Sequence, residues 1–185
     1  MAAPAQDGSI CVGCGLCCDG TLHGYTTVNE EDEVAVAGLG LALVHEHEKP
    51  SFLQPCPHFS GGGCSVYADR PGVCRRYRCA LLKRVEAGSI GSDEARERIK
   101  MAKKLRSAVS AAAPDARTPA ARADLAKQLK AELPNLKGKA RSHAARLLLD
   151  LAALHQFLEC WFRSKSKAEP PTEHVRSRAD ASGAA

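Results

Sequence analysis

The chain has 185 residues, a formal charge of +5 and only 4% aromatic residues. That length suits one domain with an appendage or two small ones. No apolar run approaches the ~20 residues needed to cross a bilayer, so no membrane partner is expected. The charge is unevenly laid out. Residues 1–92 carry seven Lys/Arg against ten Asp/Glu, −3, whereas residues 93–185 carry nineteen against eleven, +8.

In chain order, residues 1–7 read as a disordered tail. A cysteine run follows, Cys11-x2-Cys14-x2-Cys17-Cys18, with Gly13 and Gly15 allowing the tight backbone such a run needs. Tyr25–Val28 has the composition of a short strand. Asn29 reads as the N-cap of an acidic-ended helix continued by Val34, Ala37 and Leu41. Between residues 41 and 68, Pro50, Pro55, Pro57 and the three glycines at 61–63 restrict the chain to short extended segments and turns. Asp69-Arg70-Pro71 opens a helix that presents Cys74 and Arg75 and runs on through CALLKRVEAG. Gly88 and Gly91 make a break. Beyond it, Ser92-Asp93-Glu94 caps a helix striped by Ala95, Ile99, Ala102, Leu105, Val109 and Ala112. Thr118-Pro119 begins a second, with Leu125, Leu129 and Leu133 on one face. A third carries Ala140, Ala144, Leu147, Leu151, Leu154, Leu158 and Trp161. Residues 168–185 read as a second disordered tail.

The expected fold is therefore a small, irregular, metal-organised α+β domain over 8–92. An α-helical region over 93–167 follows it, as a helical hairpin or three-helix bundle.

Eight cysteines carry the chemistry: Cys11, Cys14, Cys17, Cys18, Cys56, Cys64, Cys74 and Cys79. Thiolate is a soft ligand suited to Zn²⁺ and to iron–sulfur clusters, and Cys-x2-Cys steps turn successive sulfurs toward one centre. Cys18 directly follows Cys17, and adjacent side chains rarely meet at one atom, so it is a candidate for a second centre. A disulfide framework needs an oxidising compartment. MAAPAQDGSI has neither the basic nor the apolar region of a secretory signal, so a cytoplasmic location is expected. The three near cysteines plus a distant Cys56-Pro57 echo the ferredoxin run that holds a [4Fe–4S] cubane, whereas zinc sites more often use two CxxC pairs. The spacing favours iron–sulfur over zinc without deciding between them. Arg70 and Arg75 are candidates for N–H donors to the sulfurs. His58 is a minor candidate ligand, His23 a hydrogen-bonding group near the run, His45 and His47 surface residues, and Cys160 a buried structural thiol.

The cysteine pattern, Gly15 within the first run, and the Cys-x-Val-Tyr-x-x-Arg-Pro-x-x-Cys-Arg block at 64–75 resemble the YkgJ-type family. Its members are described as zinc- or iron-chelating CxxCxxCC-domain proteins. The resemblance covers about residues 11–79 and implies metal or iron–sulfur binding. A flagellin lysine-methylating protein carries a similar cysteine pattern.

Three functions follow in order. The first is a cytoplasmic metal-binding protein holding zinc or an iron–sulfur cluster. The second is an iron–sulfur-dependent protein-modifying enzyme, lysine methylase-like. The third is a zinc-organised nucleic-acid-binding module that uses the basic helices. It ranks last, because few aromatics are present to stack on bases. A protein or redox partner, and self-association through the C-terminal leucine stripes, are the expected interactions.

Overall fold

Short elements surround the cysteines, and long helices follow the break at Gly91. The computed structural model describes residues 8–45 and 49–163. The tails expected at 1–7 and 168–185, and His47, lie outside the described residues.

Helix α1 (Gly8–Val12) leads into the cysteine run, and strand β1 (Tyr25–Thr27) follows. After α2 (Glu30–Gly38) come β2 (Leu43–Val44) and β3 (Ser51–Leu53). These strands form an antiparallel sheet of order β1-β3-β2, with Thr26 opposite Phe52 and Leu43 opposite Phe52. β4 (Phe59–Ser60) and β5 (Gly63–Cys64) make a separate hairpin. Its two turn residues, Gly61 and Gly62, both have positive φ (56° and 83°), as a tight two-residue hairpin turn demands.

Two departures from the sequence reading concern helices. Helix α2 ends at Gly38, short of Leu41, and its inward face is Asp32 and Val36, with Val34 84% exposed. Asp32 turns in because Arg76 reaches it at 2.6 Å, and the i, i+4 partner Val36 follows it. The segment from Pro71 is also two helices, α3 (Gly72–Arg76) and α4 (Ala80–Glu86). Extended backbone at Tyr77 ends α3. Cys79 then caps α4, its Sγ accepting the Leu82 N–H at 3.4 Å.

The three long helices are α5 (Ser92–Ala112), α6 (Pro119–Glu132) and α7 (Gly138–Leu158), the last ending in a π turn over Glu159–Arg163. Thr118 caps α6 by accepting the Ala121 N–H, with Pro119 in the first turn. Ala95 and Ala102 on α5 are fully buried, and side chains that small let α7 approach closely. The larger core joins Ile10, Leu16 and Leu22 of the cysteine segment, Leu81 and Leu82 of α4, and Val109, Leu151, Leu154, Leu158 and Phe162 of the helices. A smaller core holds Val28, Val36, Leu41 and Phe52. The fold is α+β with a helical C-terminal region.

Candidate metal centre

All eight cysteines of residues 11–79 line one cavity of about 1350 Å³, and all are free thiols. They fall into two groups. Cys11, Cys14 and Cys17 each lie within electrostatic reach of Cys79, and Cys14 and Cys17 also of Cys11. Cys18 instead lies within reach of Cys56, Cys74 and Cys64, and Cys74 in turn of Cys56 and Cys64. Cys17 also feels its chain neighbour Cys18, and the pair forms the seam between the groups.

The remote thiol that bears on Cys11, Cys14 and Cys17 of the first run is Cys79, while the Cys56 of the ferredoxin echo bears on Cys18. Each group rests on its own core. Cys11, Cys14, Cys17 and Cys79 pack against the larger one, Cys56 and Cys74 against the smaller. The closure of those cores, rather than spacing along the chain, decides which thiols are neighbours.

The backbone of the run is shaped for this parting. Gly15 sits at φ +71°, and its carbonyl accepts the N–H groups of both Cys18 and Asp19 at 3.0 Å, so the chain turns back between Cys17 and Cys18. Backbone N–H groups are directed at three sulfurs: Leu16 at Cys14, His58 at Cys56, and Leu81 and Leu82 at Cys79. Such N–H···S bonds stabilise a charged sulfur and orient it.

Burial pushes the Cys14 and Cys18 thiols up to about 12 and Cys74 up to about 11, with neighbouring thiols adding to the effect. Without metal, the thiols of Cys14, Cys18 and Cys74 are therefore protonated at neutral pH. Among the described residues, no three His, Cys, Asp or Glu side chains stand ready to hold an ion. The thiols are spread along the cavity wall and would have to draw in around a metal. The donor set nonetheless fits a thiophilic metal: eight sulfurs line the cavity, and the carboxylate on its wall, Glu86, is paired with Arg78 at 2.6 Å.

Cations surround the groups. Arg70 bears on Cys11 and on Cys74, one thiol from each group, while Arg78 bears on Cys11 and Lys103 on Cys14. Two four-thiolate centres would carry about −4 by formal charge, which these side chains offset. Arg70 stacks on the Tyr67 ring at 3.7 Å and donates to the Tyr67 carbonyl. Arg75 donates its Nε–H to the Arg70 carbonyl at 2.7 Å and lines the cavity.

The histidines divide differently. His58 donates Nε2–H to the Leu39 carbonyl at 2.7 Å, which engages that nitrogen. His23 packs edge-on against Tyr77 with centroids 5.0 Å apart, and burial, with Arg163 adding, holds its pKa below the usual imidazole range. His45 is exposed. Cys160 lies half-buried on the π turn, outside the cavity.

A feature missed in the sequence is how the basic helices hold the cysteine run. Lys103 donates to the Gly13 carbonyl, Arg106 pairs with Asp19, Arg122 donates to the Thr21 carbonyl at 2.6 Å, and Arg163 donates to the Leu22 carbonyl at 2.7 Å. These four cations come from α5, α6 and the π turn, and they span the segment containing Cys14, Cys17 and Cys18. A bond from a side chain to a distant carbonyl has no sequence signature, so these residues read as a solvated helix face.

A family model titled CxxCxxCC, "Putative zinc- or iron-chelating domain", matches residues 10–105, just over half of the chain. The chain belongs to the CxxCxxCC family. No curated protein and no solved structure matches it. The family match ends inside α5, so it takes in every cysteine of the cavity together with Lys103.

Proposed function

We propose that this CxxCxxCC protein holds two metal centres. Cys11, Cys14, Cys17 and Cys79 would form one, and Cys18, Cys56, Cys64 and Cys74 the other. Iron–sulfur clusters are the favoured occupants and Zn²⁺ the alternative. The observation that carries the reading is the parting of Cys17 from Cys18. In two-cluster ferredoxins a near run supplies three ligands to one cluster and its fourth to the other. The first run here is divided in the same way, with a remote cysteine completing its own group.

When bound, a cluster supplies one-electron chemistry at a potential set by local charge, N–H···S bonds and exposure, whereas zinc would supply structure. The chain's own residues hold the sulfurs in place. Gly15 makes the turn, the Leu16, His58 and Leu82 amides face sulfur, and Arg70 and Arg75 lie on the cavity wall as charge and hydrogen-bond donors. Free thiols at all nine cysteines fit a reducing compartment such as the cytoplasm. A second reading, an iron–sulfur-dependent enzyme acting on a protein, draws on the size of the cavity. Its volume exceeds that of ordinary ligand pockets, about 300–1,000 Å³.

The test is anaerobic production of the full chain with iron, zinc and sulfide analysis and an absorption spectrum. Cys79→Ser and Cys56→Ser should each lose about half of the bound metal, and Cys160→Ser none, since a hydroxyl is a poor ligand for a thiophilic metal. Complete loss in both single variants would mean one shared centre. No loss in either would end the proposal.

A further inference from the structure

Behind the cysteine run lies a second cavity of about 320 Å³, between the Asp19–Thr21 turn and helices α5 and α6. Three guanidinium groups line it, those of Arg106, Arg117 and Arg122, against one carboxylate, Asp19. Both oxygens of Asp19 are already engaged, one by Arg106 and the other by the Thr21 N–H at 2.9 Å. Arg122 is only 8% exposed, and its two terminal nitrogens go to the carbonyls of Arg117 and Thr21 rather than to an acid. A buried cation left with neutral partners is costly, and an anion nearby relieves it.

The donors around this cavity exceed the acceptors. Arg117 engages only its Nε–H, on the Pro114 carbonyl, leaving the planar fork of its terminal amines without a partner among the described residues. Arg106 Nε and the Thr21 hydroxyl are buried with no hydrogen-bond partner among them. The Ser110 hydroxyl lies on the same wall. Donors set on several sides of a small cavity suit a tetrahedral oxyanion better than a planar carboxylate, which presents only two oxygens.

We propose that this cavity is a binding site for a phosphate group, held by Arg106, Arg117 and Arg122 with the Thr21 and Ser110 hydroxyls. It is separate from the thiol-lined cavity and does not depend on metal. The free ion and the end group of a small phosphate monoester share this chemistry. Because Asp19 directly follows Cys18 and Thr21 lies two residues further on, occupancy would also stiffen the turn that carries that thiol.

The probe is inorganic phosphate, titrated at constant ionic strength into both metal-free and metal-loaded full-length protein and followed by backbone amide NMR shifts. Saturable shifts centred on Thr21, Ser110 and Ala116, weakened at least about tenfold in Arg117→Gln, are expected for a charge-assisted fork. Arg117 is exposed, so this variant spares the fold, whereas Arg122→Met removes a buried side chain that holds two carbonyls. Glycerol phosphate binding as tightly as inorganic phosphate would assign the site to a monoester, and weaker binding would assign it to the free ion. Tighter binding of acetate than of phosphate would overturn the proposal. So would non-saturating shifts spread over Lys127, Lys130 and Lys139, or affinity unchanged in Arg117→Gln. Because the metal-free protein serves equally well, the outcome stands apart from the question of metal content.

Discussion

Replacing Gly15 by alanine tests the turn on which the two thiol groups depend. Two separate penalties can be worked from the structure. At φ +71° an L-residue with a Cβ is disfavoured by about 1–2 kcal/mol. The new Cβ would also stand 2.2 Å from Cζ and 2.5 Å from Cε2 of Phe59, where carbon atoms prefer about 3.5–4.0 Å. The ring must move by more than 1 Å, an overpacking strain of about 1–3 kcal/mol. The lower chain entropy of unfolded alanine offsets about 0.4–1 kcal/mol. The net loss should be about 1–5 kcal/mol, a large part of the 5–15 kcal/mol typical of a domain.

Phe59 opens the hairpin that ends at Cys64, and its N–H donates to the Cys56 carbonyl at 3.0 Å, so metal retention should fall as well. Denaturant unfolding followed by circular dichroism measures the loss. The steric share is isolated by repeating Gly15→Ala in a Phe59→Ala background, where the substitution should cost at least about 1 kcal/mol less. A loss below about 0.5 kcal/mol, or the same loss in both backgrounds, would refute the reasoning about this turn.

Other expectations follow from the same geometry. Leu154→Ala removes a fully buried side chain from the larger core and should cost about 2–5 kcal/mol in denaturant unfolding. Because the thiols of Cys11, Cys14, Cys17 and Cys79 pack on that core, it should also weaken metal retention in a chelator competition; unchanged retention would uncouple core from centre. Burial holds the thiols of Cys11, Cys14, Cys17 and Cys79 protonated without metal, so Zn²⁺ bound among them at pH 7 should release nearly four protons. The sign is fixed by the raised values: protons compete with metal, and apparent affinity falls as pH falls. An indicator dye in weak buffer counts the release, and fewer than about two protons per ion would argue against four-thiolate sites.

The kind of chemistry was legible in the cysteines themselves, because thiol clusters with short spacings restrict the partner to a soft metal. So were the long helices, whose stripes and caps are local. Thr118-Pro119 starts α6 as read, and Leu151, Leu154 and Leu158 face the core. Local signals failed where a distant contact competes. Val34 was read only as continuing α2, and which face turns inward was decided by the Asp32–Arg76 pair, which leaves Val34 84% exposed. The adjacency of Cys17 and Cys18 already marked Cys18 as a candidate for a second centre, but which remote thiols lie near each lay beyond the sequence for the same reason. Cys79 joins Cys17 across sixty-one intervening residues because both pack on the helical core, and Cys18 turns the other way because the Gly15 carbonyl holds its N–H. The basic helices were equally silent. Nothing in the order of residues says that Arg122 and Arg163 reach back to the carbonyls of Thr21 and Leu22; only the packing of α5, α6 and α7 brings those groups within 3 Å.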